Sequence, residues 1–253
     1  MYDTNNTNTN LTNQKQDQEF NSEAYVRIGF IRKVYGILAV MLSISSFFIC
    51  LSTVKPIHDY FDQRGEDGKE IHPIFIVLLF ISIVGSFATL IPLFCCRSVA
   101  RRVPLNYILL LIFTLCESYC LFLLSACYEP QIVITAMVLT AAMVIGLTVY
   151  AMTTKKDFTM CGGCLFAALF LFIAFGILLA IFGLENKIAY MFVCLVGILI
   201  YSIYLVYDTQ LTMGQGAFKY EIDEYVWAAV NLYIDIIEIF IYILRLLGKS
   251  SNN

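Results

Sequence analysis

Residues 201–248 read YSIYLVYDTQLTMGQGAFKYEIDEYVWAAVNLYIDIIEIFIYILRLLG, and this stretch decides the fold. Two strongly apolar segments flank a short polar loop. The first carries Asp208; the second carries Asp235 and Glu238. About 20 apolar residues suffice to cross a hydrocarbon core of about 30 Å. An ionisable group inside such a segment costs at least about 2.5–3.5 kcal/mol to insert, so it marks a functional site by default.

The rest of the chain reads as a membrane scaffold around these acids. Of 253 residues, 60% are hydrophobic and only 14% charged, with a mean hydropathy of +0.78. A soluble domain carries about 25% charged residues. A net charge of −3 argues against nucleic acid as a partner. Most of the nine cysteines fall in apolar runs, where Cys behaves as a small hydrophobe and not as part of a secreted disulfide framework.

Residues 1–23 are rich in Asn, Thr and Gln and nearly free of apolar side chains, so an unstructured polar tail is expected there, ahead of a membrane domain over 24–253. The sequence offers no cleavable signal peptide, and the first span is expected to serve as the membrane signal. Seven spans follow by length and hydropathy, at 34–54, 73–94, 104–124, 131–152, 161–182, 188–211 and 225–247. The expected class is therefore an all-α integral membrane protein.

Lys and Arg set orientation. Lys15, Arg27, Arg32 and Lys33 precede span one. Arg97, Arg101 and Arg102 follow span two, Lys155 and Lys156 follow span four, and Lys219 follows span six. On the other side the third loop has no base and the fifth only Lys187, and in the first Lys55, Arg64 and Lys69 are outweighed by Asp59, Asp62, Glu66, Asp67 and Glu70. The N-terminus is expected in the cytosol. Seven full spans put the C-terminus outside. Arg245 and Lys249 run against that, and an incomplete last span would return the C-terminus to the cytosol.

Helical spacing collects the acids. Asn231, Asp235, Glu238, Tyr242 and Arg245 recur at steps of four and three and share one face. Gly197, Tyr201, Tyr204 and Asp208 form a similar stripe in span six. Consecutive helices joined by a short loop are neighbours, so Asp208 and Asp235 can meet. Two carboxylates close together in low dielectric cannot both ionise cheaply, and such a pair shares a proton or takes a cation. No Lys or Arg lies mid-span to favour anions, and carboxylate oxygens suit calcium better than a soft metal. Glu117 in span three is a further intramembrane acid, and Glu238 could instead pair with Arg245. An arginine among Arg97, Arg101 and Arg102 could latch onto Asp208.

Other patterns carry less. Cys161 and Cys164 have redox spacing but no surrounding strand–helix unit. Asn5 and Asn10 open glycosylation patterns on the end expected in the cytosol. No nucleophile–base motif is visible, so an enzyme is not expected.

Long stretches resemble the transmembrane Bax inhibitor motif family, within it the lifeguard branch: VRIGFIRKVYGIL from Val26, VPLNYILLLIFTLCESY from Val103, GLTVYAMTTKKDFTMCGG from Gly146, YDTQL from Tyr207 and DEYVWAAVNLYIDIIEIFIYILRLLG from Asp223. The resemblance implies two three-helix layers around a central C-terminal helix. It implies a calcium leak of intracellular membranes, Golgi or endoplasmic reticulum with the plasma membrane as a further site, that suppresses apoptosis. In that reading Asp208 and Asp235 form a pH-sensitive gate that holds or passes calcium. Arg97 is the counterpart of a latching arginine, with Arg101 or Arg102 as substitutes. Glu238 departs from the family's usual Asn, and with Asn231 and Glu117 extends a polar pathway. The rival expectation is a membrane interaction protein that restrains apoptotic signalling through apoptosis-regulating membrane partners without conducting ions.

Overall fold

The computed structural model describes the backbone of residues 4–66, 73–182 and 187–251, with the side chains of 4–21, 61–66, 73, 97, 180–182 and 251 outside the description. It is helical throughout: α1 Thr4–Ser52, α2 Lys55–Glu66, α3 Pro73–Cys95, α4 Arg97–Ala100, α5 Leu105–Ala126, α6 Pro130–Thr153, α7 Gly162–Phe182, α8 Lys187–Met213 and α9 Tyr225–Ser251. A 3₁₀ turn, Thr159–Cys161, leads into α7. Seven helices are long and apolar enough to span a membrane, and no strand occurs among the described residues.

The first span differs from its expected start. Its membrane-length portion is Ser22–Ser52, part of the helix α1. Phe30, Val34, Leu38, Met41, Ser45, Ile49 and Ser52 are all buried. Their steps of four and three keep one α1 face against the bundle well before the apolar run begins. On the same stretch Arg27 is half-buried, and the exposed Lys33 sets its ammonium over the Tyr225 ring, 3.3 Å from its centroid.

Seen through its contacts, α9 is the axis of the bundle. It packs against α1, α5, α6 and α8. On one side α1 and α3 flank α5; on the other α6 and α7 flank α8. These are the two three-helix layers, with the C-terminal helix between them. In α9, Val226, Ala228, Ala229, Val230, Leu232, Tyr233, Ile236, Ile237, Ile239, Phe240, Ile243 and Leu244 are buried, which covers every side of the helix. The outer spans instead turn large apolar residues outward, among them Phe80, Phe87, Ile145, Phe166, Phe170 and Leu199, as a lipid-facing surface requires.

At 27 residues, α9 is about 40 Å long, long and apolar enough to cross a membrane. Its last turn meets Tyr190 near the start of α8, through Lys249, and Tyr128 in the α5–α6 connection, through Gly248. The last turn of α9 therefore lies at the opposite end of the bundle from Arg27.

Candidate functional site

The YDTQ run at the end of α8 shows how one turn of helix faces several neighbours. Successive residues rotate by about 100°. The Tyr207 ring packs on Gly162 at the start of α7. Asp208 turns inward to α9. The Gln210 side-chain amide bridges the α6–α7 connection, donating to the Lys156 carbonyl at 2.9 Å and accepting from the Phe158 N–H at 2.8 Å.

Asp208 and Asp235 meet in the interior. Their residues are 5% and 4% exposed, and the two carboxyls lie within hydrogen-bonding reach of each other. Tyr220, from the α8–α9 loop, donates its hydroxyl to Asp208 Oδ1 at 2.6 Å. Asn231, one turn before Asp235, donates to the same Tyr220 oxygen at 2.8 Å. Asp235 Oδ2 is buried without a hydrogen-bond partner among the described residues. No Lys or Arg there forms an ion pair with either acid. The pair is thus covered by one phenol and one amide, and one of its oxygens is unsatisfied.

Burial, the neighbouring Asp208 carboxylate and the hydrogen bond to it push the Tyr220 phenol well above its ordinary value. Tyr220 therefore remains a proton donor throughout the physiological range.

The loop that carries Tyr220 is gripped from three directions. From α1, the Arg27 guanidinium donates to the Tyr220 carbonyl at 2.7 Å and to the Leu211 carbonyl, spanning both ends of the loop. Gly214 makes this possible. It turns the chain at φ +70 after α8, and a side chain there would meet the Arg27 guanidinium at 2.8 Å. From the α6–α7 connection, Asp157 accepts from the Ala217 N–H at 2.8 Å and Thr159 Oγ1 accepts from the Phe218 N–H at 3.2 Å. From the α4–α5 connection, Arg101 pairs with Glu221 and Asp223, each at 2.8 Å, and with Glu224 at 3.8 Å.

The candidate latch arginines are placed accordingly. Arg101 holds the acids of the α8–α9 loop and is not joined to Asp208, because three carboxylates stand nearer to it at the surface. Arg102 is exposed. The Arg97 side chain lies outside the described residues.

Glu238 and Glu117 extend the acidic groups along α9, and Glu238 is near enough to act on Asp235. Glu238 lies one turn beyond Asp235, with Glu117 and Arg245 as its charged surroundings. Glu117 and Arg245 also line a cavity of about 410 Å³ between α3, α5 and α9, whose walls are Phe75, Leu79, Leu124 and Ile241. Beside it Ser45 bonds to the Tyr233 hydroxyl at 2.7 Å and to Ser118 at 2.9 Å. Among the described residues no group of three or more His, Cys, Asp or Glu side chains is arranged to hold a metal ion. The nine cysteines are free, Cys161 and Cys164 among the exposed ones.

Sequence reasoning missed Tyr220 and Arg27. Tyr220 shares a non-periodic loop with Phe218, and nothing in spacing says which ring turns inward. Arg27 looks like one more charge that sets orientation.

Residues 27–252 match the family model described as Inhibitor of apoptosis-promoting Bax1. The protein belongs to this Bax1-I family. It is similar to Protein lifeguard 3 of Mus musculus, 32% identical over 234 residues that cover 88% of this chain and 70% of the relative. Protein lifeguard 3 of Homo sapiens is 32% identical over 236 residues, covering 89% of this chain and 70% of that protein. Protein LIFEGUARD 3 of Arabidopsis thaliana is 34% identical over 226 residues, covering 88% and 85%. The match takes in both members of the carboxyl pair, Tyr220 and Arg27.

Proposed function

We propose that this Bax1-I family member is a calcium leak of an intracellular membrane, gated by the Asp208–Asp235 pair, and that it thereby restrains apoptosis. The end of the bundle with Arg27, Arg101 and Lys156 faces the cytosol. The carrying observation is the pair itself: two buried carboxyls face one another, Asp208 on α8 and Asp235 on the most enclosed helix, α9, without a basic partner among the described residues. Such a pair has use for a proton or a cation, and its oxygens suit a hard ion.

The route follows α9. An ion enters the cavity at Glu117, passes Glu238 and reaches the pair, beyond which Tyr220 and the loop close the way. Shared proton or bound cation sets whether the two helices hold together. Capture of Asp208 by one of the latch arginines, Arg97, Arg101 or Arg102, is a second way to hold the pair shut, and for Arg101 it requires release from the loop acids.

The test is calcium flux into liposomes containing the purified protein, measured from pH 6 to 8. Asp235→Asn removes the exchangeable charge and is expected to lower flux by roughly tenfold, equivalent to about 1.4 kcal/mol in the barrier. Unchanged flux and unchanged pH dependence in both Asp235→Asn and Asp208→Asn would refute the gate.

A non-conducting interaction protein is the second reading, favoured by the surface of cross-tied connections at the end that bears Arg27 and Arg101. Deleting residues 1–21 separates the two. Loss of protection from apoptosis with flux intact supports the second.

A further inference from the structure

The carboxyl pair has a lid of its own, and one guanidinium holds that lid in place. Tyr220 is the sole side chain of the α8–α9 loop that donates a hydrogen bond to Asp208 among the described residues. Asn231 fixes the orientation of its hydroxyl from α9. The backbone of the same residue is held by Arg27, whose other arm takes the Leu211 carbonyl where α8 ends. The Tyr220 N–H meets that Leu211 carbonyl as well, at 3.3 Å. One residue of α1 thus closes the loop into a ring over the acids. The bonds are to carbonyls, which carry no charge to hold Arg27 if a better acceptor competes.

On the outer side of this ring lies an open cavity of about 640 Å³, lined by Ser22, Glu23, Arg27, Lys219, Tyr220 and Glu221. Tyr220 itself forms part of the wall of that space. Gly214, at positive φ, gives the loop a pivot.

We propose that Tyr220 is the plug over the Asp208–Asp235 pair and that Arg27 is the clasp that keeps it seated. Withdrawal of Tyr220 is the step that opens the pair to water. Both are positioning residues: neither exchanges the proton or carries the ion. The proposal rests on the conducting reading above for its effect on flux, but the covering of Asp208 is measurable without any conduction.

The experiment uses the full chain in liposomes, as wild type and as Tyr220→Ala, Tyr220→Phe, Arg27→Ala and Arg27→Lys. Two quantities are read at one fixed pH. One is calcium flux. The other is modification of Asp208 by a water-soluble carbodiimide with an amine nucleophile, followed by mass spectrometry of the peptide. Tyr220→Ala and Arg27→Ala are expected to raise modification and flux severalfold. Tyr220→Phe loses only the hydroxyl and raises both to a smaller degree. Arg27→Lys, which can serve one carbonyl but not two, falls between wild type and Arg27→Ala. If Arg27→Ala does not fold, Tyr220→Phe still decides, since it leaves the packing intact. Unchanged Asp208 modification in the Tyr220 variants overturns the plug; unchanged modification in the Arg27 variants overturns the clasp. Raised modification in a protein that never conducts calcium keeps the lid and refutes the conducting reading. Raised modification with unchanged flux in a conducting protein overturns the lid as a gate.

Discussion

Asp157 shows what a single carboxylate does on the loop side. The Thr159 hydroxyl, the Ala217 N–H and the Thr159 N–H hold it below its usual carboxylate range. A depressed carboxylate contributes its tether in full above its unfolded value, near pH 4, and loses it only as pH falls further. Tyr220 stands on the other side of the window, raised well above its ordinary value by burial and by Asp208. Between pH 6 and 8, then, Asp157 stays charged and Tyr220 stays protonated. Asp157→Ala is expected to alter the size of the flux but to leave the shape of its pH 6–8 profile as in wild type. A shifted profile in Asp157→Ala would show that the tether, and not the buried pair, senses the proton. At this scale the sequence was partly legible. Asp208 and Asp235 announce themselves because charge inside an apolar run is costly. Tyr220 and Arg27 do not, because their roles depend on the path of a loop that has no period.

Helix against helix, the close approach of α8 and α9 has a defined cause. Gly197 leaves room for the Tyr242 ring, which a side chain there would meet at 2.8 Å. Tyr242 in turn stacks on Tyr201, centroids 5.9 Å apart, and meets Phe172 of α7 edge-on at 5.7 Å. In lipid, where apolar burial drives little, such small-residue contacts set how near two helices come. Gly197→Val should overpack this seam and destabilise the protein by about 1–3 kcal/mol, seen as a lower melting temperature in detergent. Gly197→Val with the wild-type melting temperature would mean that Tyr242 moves freely and that the seam does not fix the helix spacing. Both stripes were readable as period-3.6 patterns. Their meeting was an inference from connectivity that the contacts between α8 and α9 now make concrete. The short helices α2 and α4 were not read, since 12 and 4 residues in polar connections carry too little pattern.

For the whole molecule, burial sorts the spans. The described α9 is enclosed by four other helices, while α3 and α7 stand at the outside of their layers. Hydropathy alone gave the seven spans but not this order, because a lipid-facing and a protein-facing apolar residue look alike in sequence. The end that bears Arg27, Arg101, Asp157 and Thr159 converges on one loop, which ties α1 and the α4–α5 and α6–α7 connections to the cover of the pair. The account requires Asp208 and Asp235 to act as one unit. A double-mutant cycle in calcium flux tests this most directly, with Asp208→Asn, Asp235→Asn and the double variant in liposomes at one pH. The account predicts strong non-additivity, with the double variant no more impaired than the worse single one. Losses that multiply as independent effects would contradict it.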